Sequence, residues 1–157
     1  MQTLPAMSTV LAALHDIRNK KQEYVMCLTI DSRRQVIACN TVFIGTLNAT
    51  IAHPREIFAT AIADRAASII VAHNHPSGSA LPSAADITVT KQLVDAGRIL
   101  DIPVIDYIIM AKAEHFSFRK YGLVFSPPQD PRVHRERGKH HTSQMSLILD
   151  PRTSHLQ

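Results

Sequence analysis

Residues 68–86 read SIIVAHNHPSGSALPSAAD, and this stretch decides the fold. Residues 68–73 are a short apolar run bounded by turn formers, the pattern of a strand buried on both faces. Residues 74–83 are rich in Pro, Gly and Ser and read as a loop. Residues 84–100 (AADITVTKQLVDAGRIL) read as a helix, and 104–110 (VIDYIIM) as another strand. A buried strand that leaves through a loop into a helix, and then a second strand, is the repeating unit of an α/β sheet.

Working outward, residues 54–66 (PREIFATAIADRA) are expected to form a helix with Pro54 at its first position, where the missing N–H costs nothing. Residues 24–30 (YVMCLTI) and 35–44 (QVIACNTVFI) read as two strands of a hairpin around Asp31-Ser32-Arg33-Arg34, with 35–44 able to stand at a sheet edge. Residues 8–21 carry Val10, Leu11, Leu14 and Ile17 at helical spacing, with Ser8 as the expected N-cap. Residues 115–118 (HFSF) read as a last short strand. The fold class is α/β, a mixed sheet flanked by helices.

The chain has 157 residues, of which 45% are apolar and 19% charged, ordinary for one globular domain. Composition shifts near Ser126. Residues 127–157 hold Pro127, Pro128, Pro131 and Pro151, four of the nine His, and half of the net charge of +4. We expect a folded domain over 1–126 and a disordered basic tail over 127–157. No apolar run reaches the roughly 18 residues of a membrane helix, and the first residues lack the basic segment of a signal peptide. Two Cys make no disulfide framework; Cys27 and Cys39 are expected as small core residues. A cytoplasmic protein with no membrane contact is expected.

Two readings meet in the 73–86 stretch. His73 and His75 would share one face of an extended chain, and Pro76 keeps His75 extended. A Ser77-Gly78 turn lets the chain double back, so that Asp86, in the first turn of the next helix, can face both imidazoles. Two nitrogen ligands, one oxygen ligand and an open fourth position make the layout of a catalytic zinc site. Equally, Ser83-Ala84-Ala85-Asp86 is a capping box and needs no metal. The two readings are compatible.

His73-Asn74-His75-Pro76-Ser77-Gly78, with Pro82-Ser83 and Asp86-Ile87, resembles the metal motif of JAMM (MPN+) metalloproteases in its bacterial RadC-like form. Further landmarks are Glu23-Tyr24-Val25 through Asp31, Phe43-Ile44-Gly45-Thr46, His53 through Phe58, Asp106 through Ile109, and Phe116-Ser117. Together they extend the resemblance from about residue 8 to 125. Tyr107 departs from it, where the family usually has His. The resemblance implies a JAB/MPN-like (cytidine-deaminase-like) sheet and a zinc-dependent peptidase or isopeptidase. It implies zinc on His73, His75 and Asp86, Glu23 as general base, Ser83 as oxyanion donor, and a peptide or protein substrate. Glu56 is the rival base, although as the third residue of a helix it is more simply a capping and dipole partner.

His53 is expected as an N-cap or a support for the site, His115 as a packed or surface residue with cleft lining as the alternative, His15 as exposed, and Arg55 as exposed or a binder of a substrate carboxylate. The alternative function is a DNA repair-associated or nucleic-acid-binding module. The basic pI of about 9.3 and the pairs Lys20-Lys21 and Arg33-Arg34 support it. A zinc nucleobase deaminase would need H-x-E and P-C-x-x-C; the candidate motif here is H-N-H, and the chain has no CxxC.

Overall fold

The computed structural model describes residues 4–45 and 53–124; the expected tail, the boundary near Ser126 and Thr46 lie outside them. Five strands form one mixed sheet in the order β2-β1-β3-β4-β5. They are β1 (Glu23–Ile30), β2 (Val36–Gly45), β3 (Ser68–Asn74), β4 (Val104–Met110) and β5 (His115–Ser117). β3 and β4 run parallel, joined by the long crossover through α3 (Ala84–Leu100); all other neighbours are antiparallel. β2 stands at one edge, with Ile37, Phe43 and Ile44 exposed. This is the expected flanked sheet.

Strand alternation assigns the two faces. Val25, Cys27, Ile69, Val71, Tyr107 and Ile109 face α2 (Pro54–Ala63) and α3, packing on Ile57, Phe58, Ala61, Ile87, Leu93 and Val94. Met26, Leu28, Ile30, Ile70, Ala72, Ile108 and Met110 face the N-terminal segment, packing on Val10, Leu14 and Ile17. β3 is buried along its whole length, which explains why its central run Ile69–Ala72 is continuously apolar rather than alternating.

α3 and β4 have the expected limits, and Pro54 opens α2 as expected. The N-terminal segment differs. It is α1 (Met7–Ala13) followed by a 3-10 turn at His15–Asn19, and the N-cap is Ala6, with no side-chain bond, rather than Ser8. The tighter turn still buries Ile17 and sends the Arg18 guanidinium to the Ala111 carbonyl at 3.2 Å. Long-range contact thus overrides the helical period. α2 ends at Ala63 rather than at 66, because Arg65 adopts a left-handed φ of 51° at the turn into β3.

Candidate metal centre

β3 carries His73 on the α3 face of the sheet, where its ring is buried. The next residue to project that way is His75, just past the strand end. Its N–H still reaches across to the Met110 carbonyl of β4 at 2.8 Å, so the extended course continues through it. Gly78, at φ 100°, then turns the chain back, with its N–H on the His75 carbonyl at 3.1 Å. The returning loop is tied down by the Ala80 N–H, which donates to Glu114 Oε1 at 3.1 Å.

At the start of α3 both sequence readings hold at once. The Asp86 N–H donates to Ser83 Oγ at 3.1 Å and the Ser83 N–H to Asp86 Oδ2 at 2.6 Å, the complete capping box. The same carboxylate is buried against the imidazoles. Asp86 Oδ1 stands 3.2 Å from His73 Nε2, and Oδ2 stands 3.4 Å from His75 Nε2. The two Nε2 atoms are 2.8 Å apart.

These separations suit a small cation. Ligand atoms at roughly 2.0–2.1 Å from a tetrahedral zinc stand about 3.3 Å from one another. His75 Nδ1 lies 2.8 Å from the Ser79 carbonyl. A carbonyl only accepts, so Nδ1 carries the proton and the Nε2 lone pair faces His73 and Asp86. Two imidazole nitrogens in contact beside a buried carboxylate need a proton or a metal ion between them. His73, His75 and Asp86 can therefore hold a metal.

The electrostatics follow from the same geometry. Burial pushes the Asp86 carboxyl up, but the bonds from His73 and His75 outweigh it and hold the carboxyl well below the usual carboxylate range. Burial holds His73 below the ordinary imidazole value despite its contact with Asp86. Burial also depresses His75, yet its bonds to Asp86 and to the Ser79 carbonyl leave it raised.

Glu23 opens β1 on the same face as Val25, which pairs with His73. The glutamate is buried, and its Oε1 has no hydrogen-bond partner. Burial raises its carboxyl to about 7, with the charge of His75 lowering it and that of Asp86 raising it. Glu56 is not gathered to the site. It is exposed at the start of α2 and paired with an exposed Arg55 at 3.3 Å.

His53 occupies the N-cap of α2 but makes no side-chain cap bond. His15 is exposed beside Asp16. His115 is exposed at the start of β5, where partial burial and the charges of Arg18 and Lys120 lower its pKa. Cys27 is buried, as expected, whereas Cys39 is only partly so; both are free. Tyr107 is fully buried, its ring edge-on to His73 at 5.4 Å between centroids and edge-on to Phe118 at 5.2 Å. Beside it His73 Nδ1 is buried without a partner. The position was visible in the sequence as a departure, but its packing on a candidate ligand was not. Among the described residues no helix is long and apolar enough to cross a membrane.

The family model of the RadC-like JAB domain matches residues 5–123. A UPF0758 protein of Methanospirillum hungatei JF-1 is 46% identical over 114 residues, covering 73% of this chain and 51% of its own. UPF0758 proteins of Bacillus cereus AH187 and Bacillus anthracis CDC 684 are each 47% identical over 111 residues, 71% of this chain and 49% of theirs. The chain thus spans about half the length of the curated relatives it matches, and it belongs to the RadC-like JAB family.

Proposed function

We propose that this RadC-like JAB chain is a zinc-dependent hydrolase of peptide or isopeptide bonds, with His73, His75 and Asp86 holding the metal. The supporting observation is one juxtaposition. Three ligand groups converge within 4.8 Å, and a buried glutamate with an unpaired oxygen stands beside them.

When bound, zinc would supply Lewis acidity, bringing the pKa of water down to roughly 7 and polarising a carbonyl. The chain's residues do the rest. Glu23, with a carboxyl that titrates near neutrality, takes a proton from the attacking water and delivers it to the leaving amine, so one group serves as base and then as acid. Asp86 stays ionised and balances the cation's charge. The Ser83 hydroxyl, at the mouth of the site, now donates to Asp86 Oδ2 at 2.7 Å, and rotates to donate to the developing oxyanion. The substrate is a peptide or protein, and the compartment is the cytoplasm.

The test is hydrolysis of a broad peptide mixture in ¹⁸O-labelled water, with new C-termini read by mass spectrometry. The zinc-loaded protein is expected to create labelled termini, and Glu23→Gln to create none while keeping its zinc. Undiminished cleavage by Glu23→Gln, or none by the wild type, overturns the reading.

A further inference from the structure

Between the two histidines stands Asn74, and alternation turns it to the opposite face of the sheet. Its side chain is fully buried and uses both ends of its amide. Oδ1 accepts from the Tyr24 N–H at 2.7 Å. Nδ2 donates to the Gln22 carbonyl at 3.0 Å and to the Lys20 carbonyl at 3.4 Å. The residues gripped lie on either side of Glu23, some 50 positions away in the chain. No local capping or turn role accounts for such a bond set. One planar amide therefore fixes the backbone that carries Glu23 to the backbone that carries His73 and His75.

We propose that Asn74 is the positioning residue of the site, setting where the Glu23 carboxylate stands relative to the metal ligands. It touches neither metal nor substrate. The geometry accounts for how a glutamate at a strand end, where chains fray, holds a buried position without a hydrogen bond of its own on Oε1. The inference rests on Glu23 acting on the chemistry at the metal, as proposed above. It adds that the ligand-bearing strand itself carries the device that places Glu23.

The test uses the full chain loaded with cobalt(II), whose visible absorption reports the surroundings of the metal. Wild type, Glu23→Gln, Asn74→Ala and Asn74→Asp are compared in three readouts: metal per chain, the pH at which the absorption changes, and exchange of the Tyr24 amide hydrogen. Asn74→Asp keeps an acceptor for Tyr24 but loses both donations, and it carries the test should the alanine variant not fold. Both Asn74 variants are expected to keep the wild-type metal content. Both should move the absorption midpoint in the direction of Glu23→Gln, at least half as far for alanine and less for aspartate. The Tyr24 amide should exchange at least tenfold faster in Asn74→Ala. A merely structural asparagine would lower stability and leave the midpoint in place. That result, with Glu23→Gln shifting it, overturns the inference alone. If Glu23→Gln leaves the midpoint unmoved, the role given to Glu23 fails, and the inference with it.

Discussion

Asp86 Oδ2 accepts from both the backbone N–H and the hydroxyl of Ser83, at 2.6 and 2.7 Å, and the same oxygen stands 3.4 Å from His75 Nε2. One carboxylate thus begins a helix and completes the ligand cluster that can hold a metal. The capping box orients the ligand, so the cap is part of the site's preorganisation rather than a rival explanation of the residues.

Ser83→Ala separates these roles. Loss of the cap is expected to lower stability by about 1 kcal/mol, seen as a lower midpoint in urea. Metal content should persist, because Ser83 is not a ligand. Turnover should fall about 10²–10³-fold if its hydroxyl serves the oxyanion. A stability loss with full turnover would leave Ser83 as a cap only.

Metal should stabilise the folded chain, since the cradle exists only there. At a free zinc concentration 100-fold above the dissociation constant the gain is about 2.7 kcal/mol. Thermal unfolding should therefore move up on adding zinc to the stripped wild type and stay in place for Asp86→Ala. A zinc-dependent rise in that variant would take Asp86 out of the ligand set.

The Glu23 carboxyl gives the metal-free protein a defined pH signature. Its folded pKa, about 7, lies above its ordinary value near 4.5, and burial is the main cause. The folded state therefore binds this proton more tightly than the unfolded state. Stability from it is complete below pH 4.5 and is lost as the pH rises through 7. Between pH 5 and 7.5 the metal-free wild type should lose stability relative to Glu23→Gln. Parallel curves for the two would mean that Glu23 is not held in a buried, unpaired state.

Gly97 tests the packing of α3 at the end away from the site. A Cβ there would lie 2.6 Å from the Ile102 carbonyl oxygen and 3.3 Å from Phe58 Cζ. The first contact is with backbone, which cannot swing aside. Gly97→Ala should destabilise by about 1–3 kcal/mol, although alanine is the better helix former. A neutral or stabilising effect in urea would contradict the close approach of α3 to the start of β4.

Much of this architecture was legible in the sequence. α3 and β4 have the expected bounds because period, cap and flanking prolines agree there, and the spacing from His73 to Asp86 brought out the ligand cluster. Glu23 was reached only through the family resemblance; nothing local marks a glutamate ahead of an apolar strand as buried. The Asn74 bond set was invisible for a related reason. Its partners are backbone groups some 50 residues away, and a sequence does not display a register. The split of the N-terminal helix was missed because Ile17 and Arg18 answer to the sheet and to Ala111 rather than to the helical period.

The central claim is that His73, His75 and Asp86 bind zinc, and metal analysis of the purified chain tests it most directly. Wild type and the double variant His73→Ala/His75→Ala would be stripped, reloaded with zinc and desalted. The account predicts one zinc per chain in the wild type and essentially none in the folded double variant. Equal zinc in both would contradict it.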